Sequence, residues 1–148
     1  MDQKSFLEGA RALAFWGANL IDRTHLAEDK DADGLISLMT PVIKGFLTDK
    51  GFESAVQAQQ VFGGHGFIKE WGMEQYVRDN RINMIYEGTN TIQSLDLLGR
   101  KVLGNQGATL KKFGKLIGQL VAEEGVNEKM AEFINPIAVL GDQMTKFT

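Results

Sequence analysis

Cysteine is absent from the 148 residues, so the fold relies on neither disulfides nor a thiolate metal site, which suits a reducing compartment. Proline occurs only twice, at Pro41 and Pro136. No apolar run is long enough to span a bilayer and no signal peptide is visible, and we expect a cytoplasmic protein. Basic residues are not in excess: the formal charge is −3, and no Lys/Arg stripe marks a nucleic-acid partner. Alternating strand patterns, internal repeats and low-complexity linkers are also missing. What remains is a chain with 43% apolar residues, enough for a domain with a real core.

The apolar residues recur at helical spacing. Phe6, Leu7, Ala10, Leu13, Ala14, Gly17, Leu20 and Ile21 predict a long first helix with one buried face, ending near Glu28. Thr40-Pro41 reads as an N-cap with proline at the first helical position, where its missing N–H costs nothing. The second helix then carries Val42, Phe46, Val56 and Phe62 broadly on one face, with Gly51 as a weak point costing roughly 1 kcal/mol relative to alanine. Glycines at 63, 64 and 66 stop it and permit positive φ or close backbone approach. A third helix is expected from Met73 to about Ile85. A fourth, from Thr89 to Leu103, should bury Ile92, Leu95, Leu98 and Val102. Gly104-Asn105-Gln106-Gly107 is a turn. Leu110, Phe113, Ile117, Leu120 and Val121 mark a fifth helix that Glu123-Glu124-Gly125 ends. A last helical region starts near Asn127; Pro136 should break it, with Asn135 recapping a helix that carries Ile137, Leu140, Met144 and Phe147.

Asp29, Asp31 and Asp33, with Gly34 and Ile36, match the first eight positions of a calcium loop. Position twelve is Thr40 where a bidentate glutamate is required, so a solvated acidic helix connection is the better reading and no metal site is assigned. His25 has no metal-ligating partner, His65 reads as a turn residue, and Trp16 and Trp71 as packing residues. Arg78 and Arg81 suit ion pairs or interface contacts.

The segment Ile85-Tyr86-Glu87-Gly88-Thr89-Asn90 places a carboxylate in a short loop that opens a helix capped by Thr89 or Asn90. Spacing alone favours a solvated acid in the field of the helix dipole, and Gly88 is on its own a turn glycine. The wider text adds Gln60-Val61-Phe62-Gly63-Gly64-His65-Gly66-Phe67, then Met73-Glu74-Gln75-Tyr76-Val77-Arg78-Asp79, then Thr89-Asn90-Thr91-Ile92-Gln93 after the Glu87 loop. In this order and at these separations they resemble the C-terminal helical domain of acyl-CoA dehydrogenases, from about Thr40 to Leu103. The stretches 68–74 and 94–101 are similar to the long bacterial subgroup that includes methylmercaptopropionyl-CoA dehydrogenases.

That resemblance implies an all-α fold: an up-down four-helix bundle over residues 1–104, with residues 105–148 the start of a C-terminal helical extension packed on it. It implies that this is the last domain of an FAD-dependent enzyme that converts an acyl-CoA thioester into a trans-2-enoyl-CoA. Glu87 would be the base that takes the α-proton while the flavin takes the β-hydride, and Gly88 would let the substrate pass close to the chain. Thr89, Asn90 and Thr91 would meet the flavin dinucleotide, although Thr91 stands where glutamine or glutamate is frequent. Gln60, Val61, Phe62, Gly63 and Gly64 would contribute to the FAD of a neighbouring subunit in a homodimer or homotetramer. Electron-transfer flavoprotein or a similar acceptor would reoxidise the cofactor. The rival expectation is a non-catalytic helical oligomerisation or interaction module.

Overall fold

A computed structural model describes residues 1–146 and contains helices and turns only among them. The chain forms two compact units, Met1–Leu97 and Leu98–Thr148. The first holds α1 (Asp2–Ala27), α2 (Lys30–Val61), α3 (Met73–Ile82) and α4 (Asn90–Leu95). The second begins within a π-helical stretch, Asp96–Val102, that continues α4, and holds α5 (Ala108–Glu124) and α6 (Ala131–Lys146).

Helix α1 ends where expected, with Glu28 in a left-handed cap at φ 52. Its buried seam is narrower than the sequence suggests. Gly17 and Leu20 are buried and Phe6, Ala10, Leu13, Trp16 and Thr24 half-buried, whereas Leu7, Ala14 and Ile21 are exposed. The seam follows the spacing of three and four that one partner helix covers, and α2 is that partner. At Gly17 the two helices approach closely enough that an added Cβ would stand 3.0 Å from the Ile43 side chain.

Helix α2 does not start at Thr40-Pro41. It begins at Lys30, because the Asp29 carboxylate accepts from the Asp31 and Ala32 amides at 2.9 and 3.0 Å and caps it. Thr40 and Pro41 lie inside a continuous helix, and the Thr40 hydroxyl donates to the Ile36 carbonyl at 2.7 Å. A proline there removes one ladder hydrogen bond. Burial on both sides of the site compensates: Ala32, Leu35, Leu38, Met39 and Pro41 are buried, as is Ala55 farther on. The face expected from Val42, Phe46, Val56 and Phe62 is not the buried one, since only Val42 among them is even half-buried. Because α2 is the central helix, touching α1, α3 and α4, its covered surface is not a single stripe.

Helix α3 closes through tightening turns, with Asn83, Met84 and Ile85 amides bonding three residues back at 2.9–3.4 Å. In α4 and the π-helical stretch after it most of the expected apolar face is turned outward: Ile92, Leu95 and Leu98 are 51%, 63% and 60% exposed, and only Val102 is half-buried. The half-buried positions are instead Asn90, Gln93 and Leu97, because Asn90 anchors this helix to α2.

In the second unit Gly125 ends α5 as expected. The Asn127 side chain caps a short 3-10 turn, Glu128–Met130, that leads into α6. Pro136 lies inside α6 and does not break it, nor does Asn135 recap it. The bond that proline cannot make is to the carbonyl of Glu132, in the first turn, so the loss falls next to the helix start. Helices α5 and α6 pack on each other, with the Gly141 backbone against Ile117. Phe147, the last apolar mark expected on α6, lies outside the described residues. No helix among the described residues is long and apolar enough to cross a membrane.

Candidate active-site loop

Residues 83–89 leave α3 and enter α4 in one tight excursion. The Tyr86 amide bonds the Ile82 carbonyl at 3.1 Å and the Asn90 amide reaches back to the Met84 carbonyl at 3.2 Å, closing it. Glu87 at φ 53 and Gly88 at φ 82 are consecutive left-handed residues. Glycine adopts that region without penalty, but for glutamate it costs on the order of 1 kcal/mol, and such strain persists only where the surroundings impose it. Thr89 then caps α4, its hydroxyl accepting from the Ile92 amide at 3.3 Å.

Glu87 is exposed, and among the described residues its carboxylate makes no ion pair or hydrogen bond. The amides of Glu87, Gly88 and Thr89 likewise donate to no group of the described chain. The carbonyls of the same loop are held. Gln93 Nε2 donates to the Glu87 carbonyl at 3.1 Å, and Lys44 Nζ donates to the Gly88 carbonyl at 2.8 Å. A Cβ on Gly88 would stand 3.0 Å from Gln93 Nε2.

The lysine was not legible in the sequence. It lies on α2, and its Nζ also donates to Asn90 Oδ1 at 2.7 Å. Asn90 Nδ2 donates to Asp49 Oδ1 at 2.6 Å, Thr48 Oγ1 at 3.0 Å and the Gly45 carbonyl at 3.4 Å. With its amide and carbonyl also bonded, to Met84 and Ser94, Asn90 has its polar groups turned into the protein. Thr89 and Thr91 remain exposed.

The Gln60–Gly64 stretch is elsewhere on the molecule. It runs over the end of α2, Gln60 lying sixteen residues beyond Lys44, which by helical rise is about 24 Å along the helix from the lysine that holds the Glu87 loop. Gln60, Val61, Phe62, Gly63 and Gly64 are all exposed, and a Cβ on Gly63 or Gly64 would meet nothing within 4 Å. The close backbone approach occurs at Gly66 instead, where a Cβ would collide with the Gln59 carbonyl and Phe62. Gln59 Nε2 also donates to the Gly66 carbonyl at 3.1 Å. His65 stacks edge-on against Trp71 with ring centroids 5.3 Å apart, a packing contact within the turn. Arg81 lies over the Phe52 ring at 5.9 Å.

The aspartates near residue 30 act as a helix start. The backbone N–H of Ala32 and the Arg23 guanidinium, whose Nη2 is 2.6 Å away, hold the Asp29 carboxyl below its ordinary value.

A helical domain with a strained Tyr-Glu-Gly-Thr loop at the head of a short helix defines the class, and comparison with known proteins agrees. The family model for the acyl-CoA dehydrogenase C-terminal domain matches residues 7–103. The chain belongs to the acyl-CoA dehydrogenase family, as that C-terminal domain.

Among curated relatives it is similar to 3-methylmercaptopropionyl-CoA dehydrogenase of Ruegeria pomeroyi, at 39% identity over 81% of this chain and 21% of that protein. It is also similar to a broad-specificity linear acyl-CoA dehydrogenase of Mycobacterium tuberculosis, at 33% identity over 88% of this chain and 22% of that one. A solved structure of Caenorhabditis elegans ACDH-11 in complex with C11-CoA superposes with a TM-score of 0.84 at 26% identity, covering 93% of this chain and 23% of that one. The chain thus spans 21–22% of the length of these two curated relatives.

Proposed function

We propose that this chain is the base-bearing part of an FAD-dependent acyl-CoA dehydrogenase, completed by further domains, that desaturates an acyl-CoA thioester to a trans-2-enoyl-CoA. In this reading residues 1–104 form the bundle and residues 105–148 open a helical extension. The observation that carries it is the Glu87 loop: an unpartnered carboxylate on strained backbone, followed by amides left free and carbonyls held from behind.

Glu87 takes the α-proton of the acyl group. Charge then builds on the thioester oxygen, and the Glu87 amide is a donor suited to receive it. Gly88, the residue the resemblance gives to substrate approach, serves the loop by its positive φ and by leaving room for Gln93 and Ile92. A carboxylate in water is a weak base for so weak a carbon acid, so water must be excluded from the site. Glu87 is exposed in this chain, which assigns the excluding wall to the other domains.

The residues fit a flavin dinucleotide as an open edge, not as an enclosing pocket. Thr89 and Thr91 offer exposed hydroxyls at the start of α4, and Asn90 serves by holding the backbone instead of by contact. FAD, when bound, accepts the β-hydride. Gln60, Val61, Phe62, Gly63 and Gly64, open and distant from the loop, would face the flavin of a neighbouring copy in a homodimer or homotetramer. Electron-transfer flavoprotein or a similar acceptor would reoxidise the cofactor.

The test is anaerobic addition of short-chain, long-chain and thioether-bearing acyl-CoAs to the flavin-loaded longer enzyme. Bleaching of the flavin with formation of the 2-enoyl product is expected for at least one. Stoichiometric binding of acyl-CoA without reduction would leave only an assembly module.

A further inference from the structure

The Glu87 loop is aimed by two side chains that lie behind it. In a trans peptide the C=O and the following N–H point in opposite directions, and no peptide bond among the described residues is cis. A donor that pins a carbonyl therefore aims the next amide the other way. Gln93 pins the Glu87 carbonyl from α4, and Lys44 pins the Gly88 carbonyl from α2, at 3.1 and 2.8 Å. The Gly88 and Thr89 amides are thereby directed away from these side chains, and both lack an acceptor among the described residues.

We infer that Lys44 and Gln93 are positioning residues for the proposed dehydrogenation: they fix the two peptide planes after Glu87, and neither is the proton acceptor. This rests on the function proposed above.

Lys44 is the stronger of the two. Its bond to Gly88 is charge-assisted and part-buried, where water competes less for it. Its placement is determined in turn, since Asn90 Oδ1 accepts from it while Asn90 Nδ2 is held by Asp49, Thr48 and Gly45. The chain Asp49–Asn90–Lys44–Gly88 joins the middle of the central helix to the peptide after Gly88, while Gln93 holds the peptide after Glu87, the residue at φ 53. Methionine at position 44 would keep the stem and its packing but lose the donor.

Two measurements separate this from a general structural role. In the 148-residue chain, backbone ¹⁵N relaxation should show Gly88 and Thr89 rigid, with order parameters near about 0.85, and Lys44→Met should drop them below about 0.6. Residues 13–24 of α1 should keep their values. In the flavin-loaded longer enzyme the same substitution should lower kcat roughly tenfold or more while KM for acyl-CoA stays within about twofold, as expected when a group acts through transition-state geometry.

Unchanged order parameters at 88 and 89, or an equal loss throughout the chain, would overturn the assignment. Should Lys44→Met fail to fold, Gln93→Leu releases the Glu87 carbonyl and a longer 3.5 Å contact to the Gly88 carbonyl, leaves Lys44 in place, and is read in the same two ways. Loosening of the loop in an enzyme whose wild type reduces no flavin would refute the dehydrogenase reading while leaving the positioning role intact. An active wild type with an unaffected Lys44→Met would do the reverse.

Discussion

At Glu87 the chain accepts a backbone strain on the order of 1 kcal/mol and leaves a carboxylate without a partner; Glu28 shares both features as a helix cap, so what sets Glu87 apart is the motif around it. If Glu87 is the base, its amide analogue removes the proton acceptor and little else. Glu87→Gln in the longer enzyme should therefore retain FAD, measured from its absorbance, and lose roughly a hundredfold or more in the rate of flavin reduction by acyl-CoA. Wild-type reduction kinetics in a fully flavin-loaded variant would send the search for the base to another helix. The residue type and its motif were readable from sequence. Its left-handed backbone and the lysine behind it were not, because Lys44 lies 43 positions earlier and nothing local links the two.

Among the elements, α2 shows most clearly how a strong local signal loses to a better one. Thr40-Pro41 is a good helix start in isolation, but Asp29 follows a left-handed residue, offers two amides a carboxylate and is braced by Arg23. The folded-state value of Asp29 is lowered, so its contribution is full above the ordinary value of 3.8 and is lost as pH falls through the lower folded value. Thermal midpoints followed by circular dichroism should fall as the pH is taken from 7 to below about 3. Asp29→Asn should shrink this acid dependence while still capping, since asparagine is an equally good N-cap. Identical pH profiles for both proteins would show that other carboxylates dominate. The weak point at Gly51 is real within the same helix. A Cβ there would sit 3.5 Å from Asn80 Oδ1, an ordinary contact, so Gly51→Ala should raise the unfolding free energy by about 0.5–1 kcal/mol in urea titration. A loss of stability would mean that α3 needs the glycine to pack.

For the molecule as a whole, the exposed apolar side chains set the behaviour. Phe15, Val61, Phe67, Leu95 and Leu98 are each 60% or more exposed, and surfaces of that kind mark interfaces or aggregation. We expect the chain alone to be helical, to sediment above its 16.4 kDa monomer mass with rising concentration, and to purify without stoichiometric flavin, because its cofactor residues form an open edge. A compact monomer at all concentrations would contradict the expected self-association, and co-purified stoichiometric FAD the expected absence of flavin. Helical class, the positions of α1, α3 and α5, and the Glu87 motif were determined by sequence, because periodicity, glycine stops and the order of motif residues are local properties. Tertiary structure decided which apolar face is covered. α1 buries a seam against one neighbour, α2 is covered by three, and α4 turns Ile92 and Leu95 outward because Asn90 is bonded to α2. It also decided that Pro41 and Pro136 stay inside helices: at Pro41 the preceding helix is already buried, and at Pro136 the missing bond falls in the first turn.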